Sequence, residues 1–121
     1  MKDECLRFET SSYFPKDSSE PILEYVVTNI IGDNFPLNIT NHSTCEINIC
    51  YDGEFNLGYD GNLIPCKKGD VVLVNPYANH GFSAAKSASF YILGIKNIQF
   101  DIPNDNVLVL NCDISDIIQI V

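Results

Sequence analysis

The run Gly69-Asp-Val-Val-Leu-Val-Asn-Pro-Tyr-Ala-Asn-His-Gly81 decides the fold. Its centre, Val71 to Val74, is aliphatic and lies between a turn at Lys67-Lys-Gly69-Asp70 and a polar break at Asn75-Pro76. A short apolar run bounded by turn residues reads as a buried strand. It is far too short to cross a bilayer. Upstream, Tyr51-Asp-Gly53 and Tyr59-Asp-Gly61 repeat at a spacing of eight residues. Asp-Gly is a strong hairpin signal, because the short turn needs positive φ. Between the two turns, Glu54-Phe-Asn-Leu57 alternates with the period of a half-buried strand. Further strands are expected over Ile22–Ile31, Leu63–Cys66, from His80 to Phe82, over Ser89–Ile95 and over Val107–Leu110. Strands this short and this regularly spaced predict an all-β sandwich or barrel. Residues 10–21 read as loop and Ile102 to Asn106 as a turn. Asp113 or Ser115 is placed to cap a helix that runs to Val121.

The totals narrow the function classes. At 121 residues the chain is one domain. A net charge of -9, with only 7 Lys+Arg, argues against direct contact with nucleic acid, which needs clustered cations. Five cysteines, an odd number with no C-x-x-C, predict free thiols in a reducing cytoplasm. The polar start Met-Lys-Asp-Glu-Cys-Leu-Arg carries no apolar signal stretch. No nucleophile elbow and no phosphate-cradling glycine loop occurs.

Two histidines and a glutamate stand out. On a straight strand, His42 and Glu46 would lie roughly 13 Å apart, whereas ligands of one metal sit about 2 Å from it. They can share a site only if the chain bends, and the polar Asn41-His-Ser-Thr44 is the place for a bend. Beyond the bend, Glu46, Asn48 and Cys50 share one strand face, and Ile47, Ile49 and Tyr51 the other. A polar face turned into a concave site suits a small hydrophilic ligand. The aliphatic face then needs cover from another layer or a partner. Cys45 points away from Glu46, which argues against a catalytic thiol.

His42-Ser-Thr-Cys-Glu46 with Gly53, followed by Gly69-Asp70, the Val71–Val74 strand, Asn75-Pro76 and His80, resembles the two motifs of the cupin β-barrel. The Gly-Asp-x-x-x-x-Asn-Pro-x-x-x-His form and the strand Phe90-Tyr-Ile-Leu-Gly-Ile95 are similar to the N-terminal sensor domain of AraC-type transcription regulators. The resemblance implies an all-β cupin barrel (double-stranded β-helix, or jelly roll) with a short C-terminal helix start. It implies an arm over 1–20, a barrel over 21–112, and over 113–121 the start of a helix leading to a helix-turn-helix domain outside this chain. The expected role is ligand sensing and dimerisation, with a small metabolite such as a sugar bound in the barrel. The chain would be no enzyme, would need no cofactor, would form a homodimer without touching a membrane, and would reach DNA only through that further domain. The expected ligand-binding residues are His42, Glu46, Asn48, His80, Thr40 and Tyr77, with none catalytic. Thr40 stands where cupins carry their first histidine, and Asn75 and Tyr77 where metal-binding cupins have Pro and Gly. The missing first histidine favours a metal-free pocket or a filled barrel. If a metal binds, His42, Glu46 and His80 hold it, a set that suits non-haem iron. The alternative is a stand-alone metal-dependent cupin enzyme, a dioxygenase or isomerase.

Overall fold

In the computed structural model, Val71 to Val74 lie in β6 (Asp70–Val74), and every residue of that strand is buried. Antiparallel neighbours flank it, β3 (Cys45–Asp52) on one side and β9 (Val107–Asn111) on the other. Beyond β3 come β8 (Ala88–Lys96) and the edge strand β2 (Ile22–Ile31), while β1 (Lys2–Glu4) adds parallel to β9. These six strands form one sheet in the order β1-β9-β6-β3-β8-β2. A smaller sheet, ordered β5-β4-β7, contains β4 (Glu54–Tyr59), β5 (Asn62–Lys67) and β7 (Gly81–Ser83). Residues 35–40 run beside β7 through bridges from Phe35 to Ala84 and from Thr40 to His80. The expected all-β jelly roll is the fold observed. The structure describes residues 2–4, 20–102 and 106–111. The expected helix over 113–121, most of the 1–20 arm and the centre of the 102–106 turn lie outside them.

The hydrophobic pattern separates two cores. Between the sheets, Cys50, Val72, Val74, Phe90, Val107 and Val109 pack against Phe55, Leu57, Cys66 and Ala78. The rings of Phe55, Phe82 and Phe90 lie 5.2 Å apart, centroid to centroid, in each pair. On the outer face of the large sheet, Cys45, Ile49, Val71, Leu73 and Leu110 are covered by Ile98, Phe100 and Ile102. Asn75 holds that cover in place: its Nδ2 donates to the Phe100 carbonyl (3.0 Å) and its Oδ1 accepts from the Phe100 N–H (2.6 Å). Farther across the same face, Leu23, Val26 and Tyr91 stay exposed.

The two Asp-Gly turns differ. Asp60 (φ 52°) and Gly61 (φ 76°) are both left-handed and close a two-residue hairpin between β4 and β5, as the dipeptide predicts. At Asp52-Gly53 only Gly53 has positive φ (79°). There β3 and β4 do not pair but belong to different sheets, so this turn is a corner rather than a hairpin. A register shift between Cys50 and Asp52 bends β3 into it. A Cβ at Gly53 would sit 2.7 Å from the Ser87 carbonyl oxygen, so the corner is also tightly packed.

Candidate functional site

Glu46 is the second residue of β3, level with Val74 of β6 and Gly94 of β8, and it is buried on the inner face. The chain bends at Ser43-Thr44, just ahead of it. His80 precedes β7 and is held by paired backbone hydrogen bonds with Thr40, each 2.9 Å. The Tyr77 N–H donates to the His42 carbonyl (2.6 Å), which fixes the loop that carries His42. The fold thereby brings His80 to His42 and Glu46, which lie more than 30 residues before it in the sequence. His42 Nε2 lies 3.4 Å and His80 Nε2 4.0 Å from Glu46 Oε1. The two imidazole rings meet edge-on, with centroids 5.0 Å apart.

Each ring is oriented from behind. His42 Nδ1 is 2.7 Å from the Thr44 carbonyl oxygen, and His80 Nδ1 is 2.8 Å from that of Ala78. A carbonyl only accepts, so Nδ1 carries the proton in both rings. A neutral ring then turns the lone pair of Nε2 toward Glu46. Burial pulls the His80 pKa below its ordinary value, the neighbouring His42 adds to this, and Glu46 opposes it.

Tyr25 completes the cluster, although it is not among the ligand-binding residues expected from the sequence. Its hydroxyl donates to Glu46 Oε2. Burial, then the Glu46 carboxylate, hold that hydroxyl well above the usual tyrosine range. Tyr25 sits on β2, opposite Gly94 of β8. A Cβ at Gly94 would run into the Tyr25 ring, so glycine there admits the tyrosine to Glu46. Spacing cannot reveal this contact, because it depends on β2 and β3 flanking the same strand.

Asn48 lies on the inner face with no solvent exposure. Its Nδ2 donates to the Val72 carbonyl (3.4 Å), and its Oδ1 has no hydrogen-bond partner among the described residues. The other two expected residues take part through their backbones. Thr40 is exposed and pairs with His80 by main chain. Tyr77 is 69% exposed, in a left-handed conformation (φ 64°), so its N–H rather than its ring serves the site. Cys45 faces the outer core, and burial pushes its thiol up to about 12, which leaves it unreactive.

Chemically the cluster is two imidazole nitrogens and a carboxylate oxygen, all within 4.8 Å of one another. That donor set matches a divalent transition metal, which His42, Glu46 and His80 would hold. A metal there would supply Lewis acidity. A groove of about 730 Å³ lies elsewhere, at the far ends of β3 and β8. Gly53, Phe55, Cys66, Lys67, Lys86 and Ser87 are among the residues that line it.

Among solved structures, the chain resembles ToxT from Vibrio cholerae strain SCE256 with an unsaturated fatty acid bound. The identity is 18% and the TM-score 0.57, over 78% of this chain and 43% of ToxT. A predicted oxalate decarboxylase from Thermotoga maritima matches at 18% identity and TM-score 0.56, over 61% of this chain and 67% of that one. A cupin 2 conserved barrel domain protein from Salinispora arenicola matches at 17% identity and TM-score 0.51, over 74% and 86%. At these identities the likeness is one of fold, and the chain spans less than half the length of ToxT. No curated protein matches the chain. No helix among the described residues is long and apolar enough to cross a membrane. The family model of the AraC-like ligand binding domain matches residues 23–101, most of the barrel, and the chain belongs to that family.

Proposed function

We propose that this domain is the sensing module of an AraC-type transcription regulator, and that a small-molecule effector seats at Glu46, His42, His80 and Asn48. One observation carries the reading: a buried carboxylate faces two imidazoles whose orientation is set by backbone carbonyls. Groups oriented in advance bind without the cost of ordering them. The module senses rather than catalyses, acts in the cytoplasm, and leaves DNA contact to a separate domain, in keeping with its charge of -9. Dimerisation fits the exposed apolar residues Leu23, Val26 and Tyr91 on the outer face of the large sheet. An effector acts only by binding one arrangement of the regulator better than another. Sugars belong in the first screen, since their hydroxyls can donate to the acceptors around Glu46.

The test is a thermal-shift screen of sugars, fatty acids, amines and amino acids. At least one compound raises Tm in the wild type and not in Glu46→Ala or His42→Ala, both retaining wild-type far-UV circular dichroism. Hits that shift wild type and variants alike would remove the cluster from the site. The mass of the native chain in its source cells checks the regulator half: a DNA-binding domain adds roughly 100 residues.

The His42, Glu46 and His80 donor set favours one second reading, a metal-dependent cupin enzyme. Metal analysis of protein prepared without chelator decides it. About one equivalent of iron, manganese or zinc supports that reading, and a trace amount removes it.

A further inference from the structure

If Glu46 and its neighbours form the effector site proposed for this chain, their chemistry restricts the effector. Glu46 is a buried carboxylate, and among the described residues no lysine or arginine lies within salt-bridge distance of it. A buried carboxylate without a cation is costly. The atoms facing Oε1 are imidazole nitrogens: both histidine Nδ1 protons are committed to backbone carbonyls, which in neutral rings leaves Nε2 lone pairs 3.4 and 4.0 Å from Glu46 Oε1. The Tyr25 hydroxyl donates to the other oxygen, Oε2. Two residues along the same inner face, Asn48 is fully buried and its Oδ1 lacks a partner among the described residues. Same-face neighbours on a strand lie about 6.6 Å apart. With neutral imidazoles, the cluster therefore presents three acceptors at one point, a fourth one step deeper, and a carboxylate with no lysine or arginine among the described residues to balance it.

We infer that the effector is a small organic cation: a primary ammonium donating to Glu46 Oε1, His42 Nε2 and His80 Nε2, with a second hydrogen-bond donor about 6 Å away for Asn48 Oδ1. An ammonium carries three N–H donors and no acceptor, which matches this set. A carboxylate headgroup would set charge against the charge of Glu46. A neutral polyol would satisfy the acceptors but leave the carboxylate unbalanced. Entry runs past the edge strand β2, where the inner-face residues Tyr25 and Val27 keep contact with solvent, Val27 at 43%. Val27 is in the same row as Asn48, by way of Ile92. The chain's charge of -9 also draws cations toward it.

The test is calorimetric titration of chelator-treated protein with four probes: 4-aminobutan-1-ol, 1,4-butanediol, 4-hydroxybutyrate and Mn²⁺. The amine alone binds. Glu46→Gln lowers its affinity by about 30-fold or more, and Asn48→Leu by about fivefold, with far-UV circular dichroism unchanged in both. Should Glu46→Gln fail to fold, His42→Ala, at a half-exposed position, takes its place with about a fivefold loss expected. Butanediol or hydroxybutyrate binding that depends on Glu46 overturns the cation assignment and leaves the sensing role standing. Amine binding unchanged in the variants, Mn²⁺ binding without amine binding, or no heat with any probe also overturns it. The broader thermal-shift screen then judges the sensing role independently.

Discussion

The two ends of the barrel divide chemistry from space. At the end where β3 begins, Glu46, His42, His80 and Tyr25 converge, and the Phe82 ring stands 6.0 Å from that of His80, centroid to centroid. At the end where β3 finishes, a groove of about 730 Å³ opens. Lys67 and Lys86, which line it, are exposed and solvated. Concavity alone would direct attention to the second end. Convergent buried groups direct it to the first, because recognition requires polar atoms that water does not already satisfy.

That contrast can be broken by experiment. Asn75→Ala carries the largest expected effect, since two buried hydrogen bonds to the Phe100 backbone are lost beside the polar end. The expected loss is about 3 kcal/mol, read from urea denaturation. A loss below about 1 kcal/mol would mean that the cover over Leu73 is held by apolar packing alone. Gly94→Ala forces a methyl group against the Tyr25 ring and costs about 2 kcal/mol, with Tm as the readout. Tyr25→Phe removes only the hydroxyl bond to Glu46, at about 1 kcal/mol by the same measurement.

His80 gives the polar end a pH dependence. The unfolded chain takes up its proton near 6.5, whereas burial delays uptake in the folded state to lower pH. Below about 6.5 the unfolded state therefore binds more protons, and stability falls as pH falls. His80→Gln flattens that part of a Tm-against-pH curve. An unchanged slope would show that the carboxylates alone set it. At the other end, Lys86→Ala shifts stability by less than about 0.5 kcal/mol and leaves effector binding at the Glu46 cluster intact. Lost binding in that variant would move the site to the groove.

Much of this architecture is legible in the chain because its signals are local. Val71 to Val74 announce a buried strand by composition, and Asp60-Gly61 announces a hairpin by the φ values it must adopt. Placing Glu46, Asn48 and Cys50 on the inner face needs only the two-residue strand period, and the sheet pairing agrees with it. What stays hidden is non-local. The dipeptide Asp52-Gly53 reports a turn but not whether the strands on either side will pair, so a corner reads as a hairpin. Tyr25 reaches Glu46 only because β2 and β3 flank β8, an order that no spacing encodes. Asn75 reads as motif punctuation, yet it clamps a segment 25 residues downstream.

The parallel pairing of β1 with β9 has a mechanical consequence. Lys2–Glu4 align with Val109–Asn111, so the chain leaves both strands in the same direction, beside Asp70. Glu46 is level with Val74 and Val107, at the opposite end of β9. An effector seated at the cluster, as proposed above, would lie near the Val107 end of β9, while Asn111 and Glu4 lie at the other end. At about 3.4 Å per residue, the four steps from Val107 to Asn111 give a lever of roughly 14 Å. Through the β1–β9 pairing, a tilt of β9 would carry Glu4 and Asn111 together.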